Sequence, residues 1–223
     1  MFDRISTRYD LLNHLLSMGM HKIWRNTLLR NVFPKPSEKD QVLDIATGTA
    51  DLPIAWTKYF PNTQIVGIDL SENMILRGQQ KIKKRGLKRI QLSVCDAEKL
   101  PFKDHTFSHA SIGFGIRNFE NPEIGLKNIY RVLKKNGQLL ILELSIPNFL
   151  PFSSLFSLYF SKALPVIGGW LSGDREAYTY LWNSVRAFPQ GKDMANMIEG
   201  VGFKDSRWKN LMGGICTLYL ARK

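Results

Sequence analysis

The feature that most restricts this chain is Gln41 to Asp51, QVLDIATGTAD, taken together with QIVGIDL at Gln64 to Leu70. Val42, Leu43 and Ile45 form a short apolar run, the pattern of a strand buried on both faces. It ends in a small-residue turn, Ala46-Thr47-Gly48-Thr49-Ala50. Asp51 then predicts a helix cap, with Pro53 tolerated in the first turn and Leu52, Ala55, Trp56 and Tyr59 on one face. A second apolar run, Ile65 to Ile68, closes on Asp69. A strand, a tight turn, a helix and a second strand ending in an acid make a nucleotide-binding β-α-β unit. The small turn residues let a ligand approach the main chain, and the acid can accept hydrogen bonds from both ribose hydroxyls.

The residues also discriminate between nucleotides. A dinucleotide site needs G-x-G-x-x-G so that a helix N-terminus can meet a pyrophosphate. Here Gly48 is the only glycine of the turn. Asp44 lies in the strand, close to where a phosphate would sit, and would repel it while attracting a cationic centre. S-adenosylmethionine carries a sulfonium, an ammonium and an adenosine ribose, and no phosphate. Asp44 and Asp69 together therefore favour it over NAD. The plainer alternative is an α/β core with a tight turn and no ligand, because one such turn is a weak signal.

The 223 residues suit a single domain, 1–223, with a small added element. A hydrophobic content of 44% with 22% charged residues is ordinary for a globular core. Cys95 and Cys216 lie in apolar runs without C-x-x-C spacing and are expected as free, buried thiols in a reducing compartment. His14, His21, His105 and His109 show no metal-ligand spacing, so no metal site is expected. The opening MFDRISTRYD has no apolar signal core, which predicts a cytoplasmic protein. The formal charge of +12 points to an acidic partner, such as nucleic acid or an anionic membrane surface, or to solubility alone.

Residues 1–33 read as a helical lid over the mouth of the site. Ile5, Tyr9, Leu12 and Leu16 share the face of one helix, and Ile23, Trp24, Leu28 and Leu29 mark a second. After the second strand, Ser71 caps a helix through Met74, Ile75 and Ile82. This helix carries Arg77, Lys81, Lys83, Lys84, Arg85, Lys88 and Arg89 in or just after its last turns. The run reads as a solvated face or as a contact with acidic lipid or RNA. Further strands are predicted over Ile90 to Cys95, Phe107 to Ile112 and Leu139 to Leu144. Asn121-Pro122-Glu123 starts a helix, and Asn136-Gly137 makes a turn. Met194, Met197 and Ile198 mark a late helix, and two terminal strands join at Met212-Gly213-Gly214. The whole predicts a doubly wound, mostly parallel seven-stranded sheet with an antiparallel edge strand.

Residues 145–190 form an insertion of different character. From Leu144 to Gly173 the only charge is Lys162, and aromatic and leucine side chains crowd Phe149 to Phe160. Pro147, Pro151 and Pro165, with serines between them, argue against a span of the roughly 20 apolar residues a bilayer requires. The segment predicts a greasy pocket wall or an interfacial element, with an extra core helix pair as the alternative.

Several motifs together resemble the quinone-biosynthesis C-methyltransferase family, over nearly the whole chain. They are Phe2-Asp3 with Tyr9-Asp10, Met18-Gly19-Met20-His21 with Trp24, Val42-Leu43-Asp44, Gly48-Thr49, Leu100-Pro101-Phe102, Phe114-Gly115-Ile116-Arg117-Asn118 and Tyr130-Arg131-Val132-Leu133-Lys134. The resemblance implies a class I, Rossmann-like, S-adenosylmethionine-dependent fold. It also implies methylation of demethylmenaquinol or of a 2-polyprenyl-6-methoxy-1,4-benzoquinol in menaquinone or ubiquinone biosynthesis. Cofactor contacts would fall on Thr49, Asp69, Asp96 and Ala97, beside Asp44 and Gly48, and Tyr9 would lie near the substrate. The family usually has glycines where this chain has Thr47 and Ala50, which would tighten the cofactor turn. It often has a serine where this chain has Gly113.

The chemistry can be argued from the residues. Methylating an aromatic carbon requires electron density there, which a quinol supplies when a neighbouring hydroxyl becomes phenolate. Some group must take that proton or stabilise the oxyanion. Arg117 and Asn118 follow the fourth strand, at the end where open α/β sheets place ligands. A guanidinium is a poor base, so Arg117 is expected to hold the phenolate. A structural ion pair is its alternative role. The rival activities are a phospholipid N-methyltransferase and an RNA methyltransferase. A cofactor-binding partner subunit is the non-enzymatic rival. The apolar insertion favours a lipid-like substrate over nucleic acid, and with it peripheral contact at the inner face of a bacterial membrane. A homodimer is compatible with the sequence.

Overall fold

The computed structural model describes residues 17, 19–147 and 175–223, with the backbone alone for 175–178. Its elements in chain order are α1 (Met20–Arg30), β1 (Gln41–Ile45), α2 (Asp51–Tyr59), β2 (Gln64–Asp69), α3 (Glu72–Lys84), β3 (Ile90–Val94) and β4 (Phe107–Gly113). A short 3-10 turn, Ile116–Asn118, precedes α4 (Pro122–Val132) and β5 (Leu133–Leu144). Then come α5 (Arg175–Ala187), α6 (Lys192–Gly200), β6 (Lys204–Leu211) and β7 (Cys216–Arg222).

The strands make one seven-stranded sheet in the order β3-β2-β1-β4-β5-β7-β6. All neighbours pair parallel except β5 with β7 and β7 with β6. The reversed strand is therefore β7, one place in from the edge, and β6 is the outer strand. The central strands are mostly apolar because both faces are covered. One layer joins Trp24, Leu28 and Leu29 of α1 to Trp56 of α2 and Ile82 of α3, over Val42, Leu140 and Leu218. The opposite layer joins Leu126 and Ile129 of α4 to Met194 and Ile198 of α6, over Leu43, Ile112 and Ile141.

The sequence signals at helix starts have mixed outcomes. Ser71 caps α3, its hydroxyl accepting from Met74 N at 3.2 Å, and Asn121 caps α4 by accepting from Ile124 N at 3.1 Å. Asp51 does not cap. It is the first residue of α2, after Ala50 in the left-handed region, and its carboxylate pairs with Lys81 at 2.7 Å and Arg25 at 3.2 Å. Those two cations hold its pKa below the ordinary carboxylate value against the opposing cost of burial. Strand β5 begins at Leu133, directly after α4, because Leu133 pairs with Phe107 before the chain turns at Asn136.

The expected lid divides. Residues 1–16, with Tyr9, lie outside the described residues. Helix α1 is part of the core: Trp24, Leu28 and Leu29 are buried against the sheet layer, while Ile23 is exposed. The insertion 145–190 also divides. Its apolar centre, 148–174, lies outside the described residues. Its start is fixed by Ser145, whose buried hydroxyl donates to Gly214 O at 2.7 Å. Among the described residues, no helix is long and apolar enough to cross a membrane.

The basic run on α3 sits at the far end from the C-terminal edge of the sheet. The helix starts beside Asp69 and its 13 residues carry the chain back about 20 Å toward the N-terminal ends of the strands. Lys81 turns inward to Thr49 and Asp51, and Arg89 donates to Asn62 O at 3.0 Å. Lys83, Lys84, Arg85 and Lys88 remain on the exposed surface.

Candidate active site

Strand β1 has β2 on one side and β4 on the other, so successive crossovers leave in opposite directions there. A crevice opens at such a switch point, outside the carboxyl ends of the strands. A cleft of about 230 Å³ occupies that place. Its walls come from the ends of four strands: Ala46 and Gly48 after β1, Asp69 and Leu70 at β2, Cys95, Asp96 and Ala97 after β3, and Gly113, Phe114 and Gly115 at β4. Asn118 and Phe119 close one side.

The turn after β1 alternates through the left-handed region at Ala46 (φ 52), Gly48 (φ 54) and Ala50 (φ 64). Two alanines there are uncommon and strained, since a Cβ crowds the backbone in that conformation. The departures from glycine at Thr47 and Ala50 are accommodated from behind. A Cβ on Gly67 would lie 2.8 Å from Thr47 Oγ1, and one on Gly78 would lie 3.3 Å from Ala50 Cβ. Thr47 points into that space and does not line the cleft, so the expected crowding of the cofactor turn is absent.

Asp69 organises the turn as well as facing the cleft. One carboxylate oxygen accepts from Gly48 N at 2.8 Å and the other from Ser71 N at 2.9 Å. Asp96 accepts from Glu98 N at 2.8 Å, which fixes the β3 loop with Ala97 beside it on the cleft wall. Leu70 is exposed on the rim and Cys95 is a half-buried free thiol on the wall. The cleft thus presents the Asp69 carboxylate, the fixed carboxyl of Asp96 and apolar side chains to whatever occupies it.

Asp44 occupies a different place from the one expected. It is buried behind the turn and does not line the cleft. Parallel register sets Ser111 beside it, and its two oxygens accept from Ser111 Oγ at 2.5 Å and Thr47 Oγ1 at 2.7 Å. Trp56 Nε1 donates to the same Ser111 hydroxyl at 3.1 Å. Burial drives the Asp44 carboxyl up to about 7, partly offset by the two hydroxyl hydrogen bonds. Thr49 is likewise buried, its hydroxyl accepting from Lys81 Nζ at 2.8 Å. Both residues support the turn from behind.

Arg117 also departs from expectation. Its side chain is 6% exposed and its Nη1 lies 2.5 Å from Glu143, itself 3% exposed. The same Nη1 donates to Phe114 O at 2.6 Å. The guanidinium is thus committed to a buried ion pair that ties the Phe114–Asn118 loop to the end of β5, and neither partner lines the cleft. The neighbouring Asn118 does line it. Gly115 is required where it stands, because a Cβ would lie 2.3 Å from Ala46 Cβ. Sequence reasoning passed over Glu143, although a lone acid within the apolar run LLILEL signals a buried partner. It also passed over Tyr180, whose hydroxyl reaches Asn118.

With this geometry in place, the comparisons are specific. The ubiE/COQ5 methyltransferase family model matches residues 1–223. A demethylmenaquinone methyltransferase of Bacteroides fragilis is 42% identical over 224 residues, covering 100% of this chain and 91% of that protein. A ubiquinone/menaquinone biosynthesis C-methyltransferase of Citrifermentans bemidjiense is 43% identical, covering 100% and 94%. Among solved structures, a SAM-dependent methyltransferase from Aquifex aeolicus superposes with a TM-score of 0.64 at 18% identity, covering 89% of this chain and 88% of that one. A phosphoethanolamine N-methyltransferase of Haemonchus contortus, in complex with S-adenosyl-L-methionine, gives 0.68 at 16% identity, covering 90% and 52%. These last two establish the fold alone, the seven-stranded class I methyltransferase sheet. A family model matched over the whole chain, with full-length identity of this order, makes the chain a member of the ubiE/COQ5 methyltransferase family and an S-adenosylmethionine-dependent C-methyltransferase.

Proposed function

We propose that this chain methylates a ring carbon of a prenylated quinol, demethylmenaquinol or the 2-polyprenyl-6-methoxy-1,4-benzoquinol. The observation that carries the proposal is Asn118. It lines the cleft, on a loop fixed from behind by a buried ion pair. Asp69 binds the ribose diol, Asp96 accepts from the adenine amino group, and the Gly48 and Ala97 backbones border the cofactor. Asp44 and Thr49 act through the turn they support. The bound cofactor supplies an electrophilic methyl group.

The chain's part in the reaction is to hold electron density on the acceptor carbon. The Asn118 amide donates a hydrogen bond to the quinol oxygen as it becomes phenolate, in a fixed geometry that costs no reorganisation. Arg117 fixes the loop from behind, and Glu143 balances its charge. Tyr9 belongs to the substrate side on family resemblance alone. A phospholipid N-methyltransferase would need no donor at this place, and an RNA enzyme would need stacking platforms.

The apolar insertion leaves the sheet after β5 at the cleft end, and α5 returns with Tyr180 against Asn118. A prenyl tail and the membrane that holds it belong at this end. The exposed lysines of α3, about 20 Å away, point elsewhere.

The test is transfer of labelled methyl from S-adenosylmethionine to each quinol carrying a short prenyl tail, and to long-tailed quinol in anionic vesicles. Phosphatidylethanolamine and RNA serve as competing acceptors. Carbon-methylated quinol is the expected product, and Asn118→Ala should slow its formation roughly a hundredfold. Labelling of lipid or RNA with no labelled quinol would overturn the proposal.

A further inference from the structure

We infer that Tyr180 is a positioning residue for methyl transfer, because its hydroxyl fixes which end of the Asn118 amide faces the acceptor. Tyr180 stands on α5, the first described element after the apolar centre of the insertion, and its hydroxyl donates to Asn118 Oδ1 at 3.0 Å across 62 residues of chain. The Asn118 main chain is held independently, its N–H donating to Gly115 O at 3.0 Å. What Tyr180 adds is side-chain orientation.

The ends of a primary amide have opposite consequences at a developing anion. The NH2 end donates and stabilises a phenolate, while the carbonyl end presents a lone pair and repels it. Rotation by 180° about the terminal torsion exchanges the two with little change in shape, and that torsion is broad. A phenolic hydroxyl is a better donor than acceptor, so Tyr180 favours Oδ1 as its partner, the orientation that leaves both N–H donors to the cleft. Tyr180 is 40% exposed, at the mouth of the cleft and not in the core. Its hydroxyl contributes little to the hydrophobic packing that sets global stability, so loss of the hydroxyl alone is separable from unfolding. Tyr180 therefore links the trailing end of the apolar segment to the catalytic loop.

This inference rests on Asn118 being the donor to the quinol oxygen, and the experiment separates the two. Tyr180→Phe, Asn118→Ala and the double variant are compared with the parent using a short-tailed demethylmenaquinol. Tyr180→Phe should lower kcat roughly threefold to tenfold, the value of one hydrogen bond. S-adenosylmethionine affinity by titration calorimetry and the melting temperature should stay at parent values. Tyr180→Phe should cost nothing further in the Asn118→Ala background. Parent-like kcat in Tyr180→Phe, or the same fractional loss in both backgrounds, overturns the inference. A lowered melting temperature that accounts for the lost activity would make Tyr180 structural and overturn it too. If Asn118→Ala itself turns over at the parent rate, the catalytic reading of Asn118 falls, and the inference with it. If Asn118→Ala is slow while Tyr180→Phe is not, the inference alone falls.

Discussion

Removing Glu143 should damage the enzyme in a way that separates the scaffold of the loop from its chemistry. In Glu143→Ala the guanidinium of Arg117 stays where it is, 6% exposed, with its counter-charge gone. An ion left unpaired in such a place costs about 3 to 5 kcal/mol, more than the pair itself contributes. The Leu144 N–H, which donates to the same carboxylate at 2.8 Å, loses its acceptor as well. For a chain of this length each kcal/mol moves the melting temperature by roughly 2 to 4 °C, so a fall of about 6 to 20 °C is expected. Arg117→Ala should fall similarly, because it strands the buried carboxylate. Arg117→Met combined with Glu143→Leu removes both charges and should recover most of the lost stability. It cannot recover the bond from Arg117 to Phe114 O, so the loop carrying Asn118 loosens and turnover stays low. The assay is a pair of measurements on each preparation, a thermal melt and a steady-state rate with short-tailed quinol. A Glu143→Ala variant melting within about 2 °C of the parent would refute the buried-pair argument. A double variant with parent turnover would refute the claim that the pair orders the loop.

Asp69→Ala removes the proposed ribose acceptor and also the carboxylate to which Gly48 N and Ser71 N donate. Hydrogen bonds to a charged acceptor are worth about 1.5 to 3 kcal/mol each, so S-adenosylmethionine should bind at least roughly tenfold more weakly by titration calorimetry. Unchanged affinity would remove Asp69 from the site. Asp44 predicts a pH dependence. Its carboxyl is raised from 3.8 to about 7, chiefly by burial, so between those values the folded chain keeps a proton the unfolded chain has released. The folded state then binds more protons, and stability falls as pH rises through that window and levels off above it. Asp44→Asn should flatten this slope in melts taken from about pH 5 to 8. Parallel parent and variant curves would show that Asp44 does not titrate there.

Much of the scaffold was legible because its signals are local. Buried parallel strands advertise themselves as short apolar runs, and Ser71 and Asn121 cap helices through bonds to residues three positions on. Asp69 was legible for the same reason: an acid ending the second strand of a β-α-β unit has its place dictated by the unit itself. The late hairpin was equally plain, although only strand pairing shows that β7, not the outer β6, runs against the rest.

Partners distant in sequence were not legible, and they decided the roles of the polar residues. Asp44 and Arg117 are charged groups at a ligand-binding edge, and from the sequence each could have faced the ligand. Asp44 turns inward because parallel register puts Ser111 beside it, and Arg117 because β5 runs next to β4 and delivers Glu143 to the same loop. Asp51 reads as a cap but folds between Arg25 and Lys81, and the lysines of α3 read as one charged run until the helix carries them to the far end of the sheet. Burial makes an unmatched polar group expensive, so a side chain takes the partner that the fold supplies. The sequence by itself determined the architecture, the cofactor and the family. Only the tertiary structure decided which polar side chains face the cleft and which hold it up, because that depends on contacts between residues as far as 67 positions apart, whose energy no local pattern encodes.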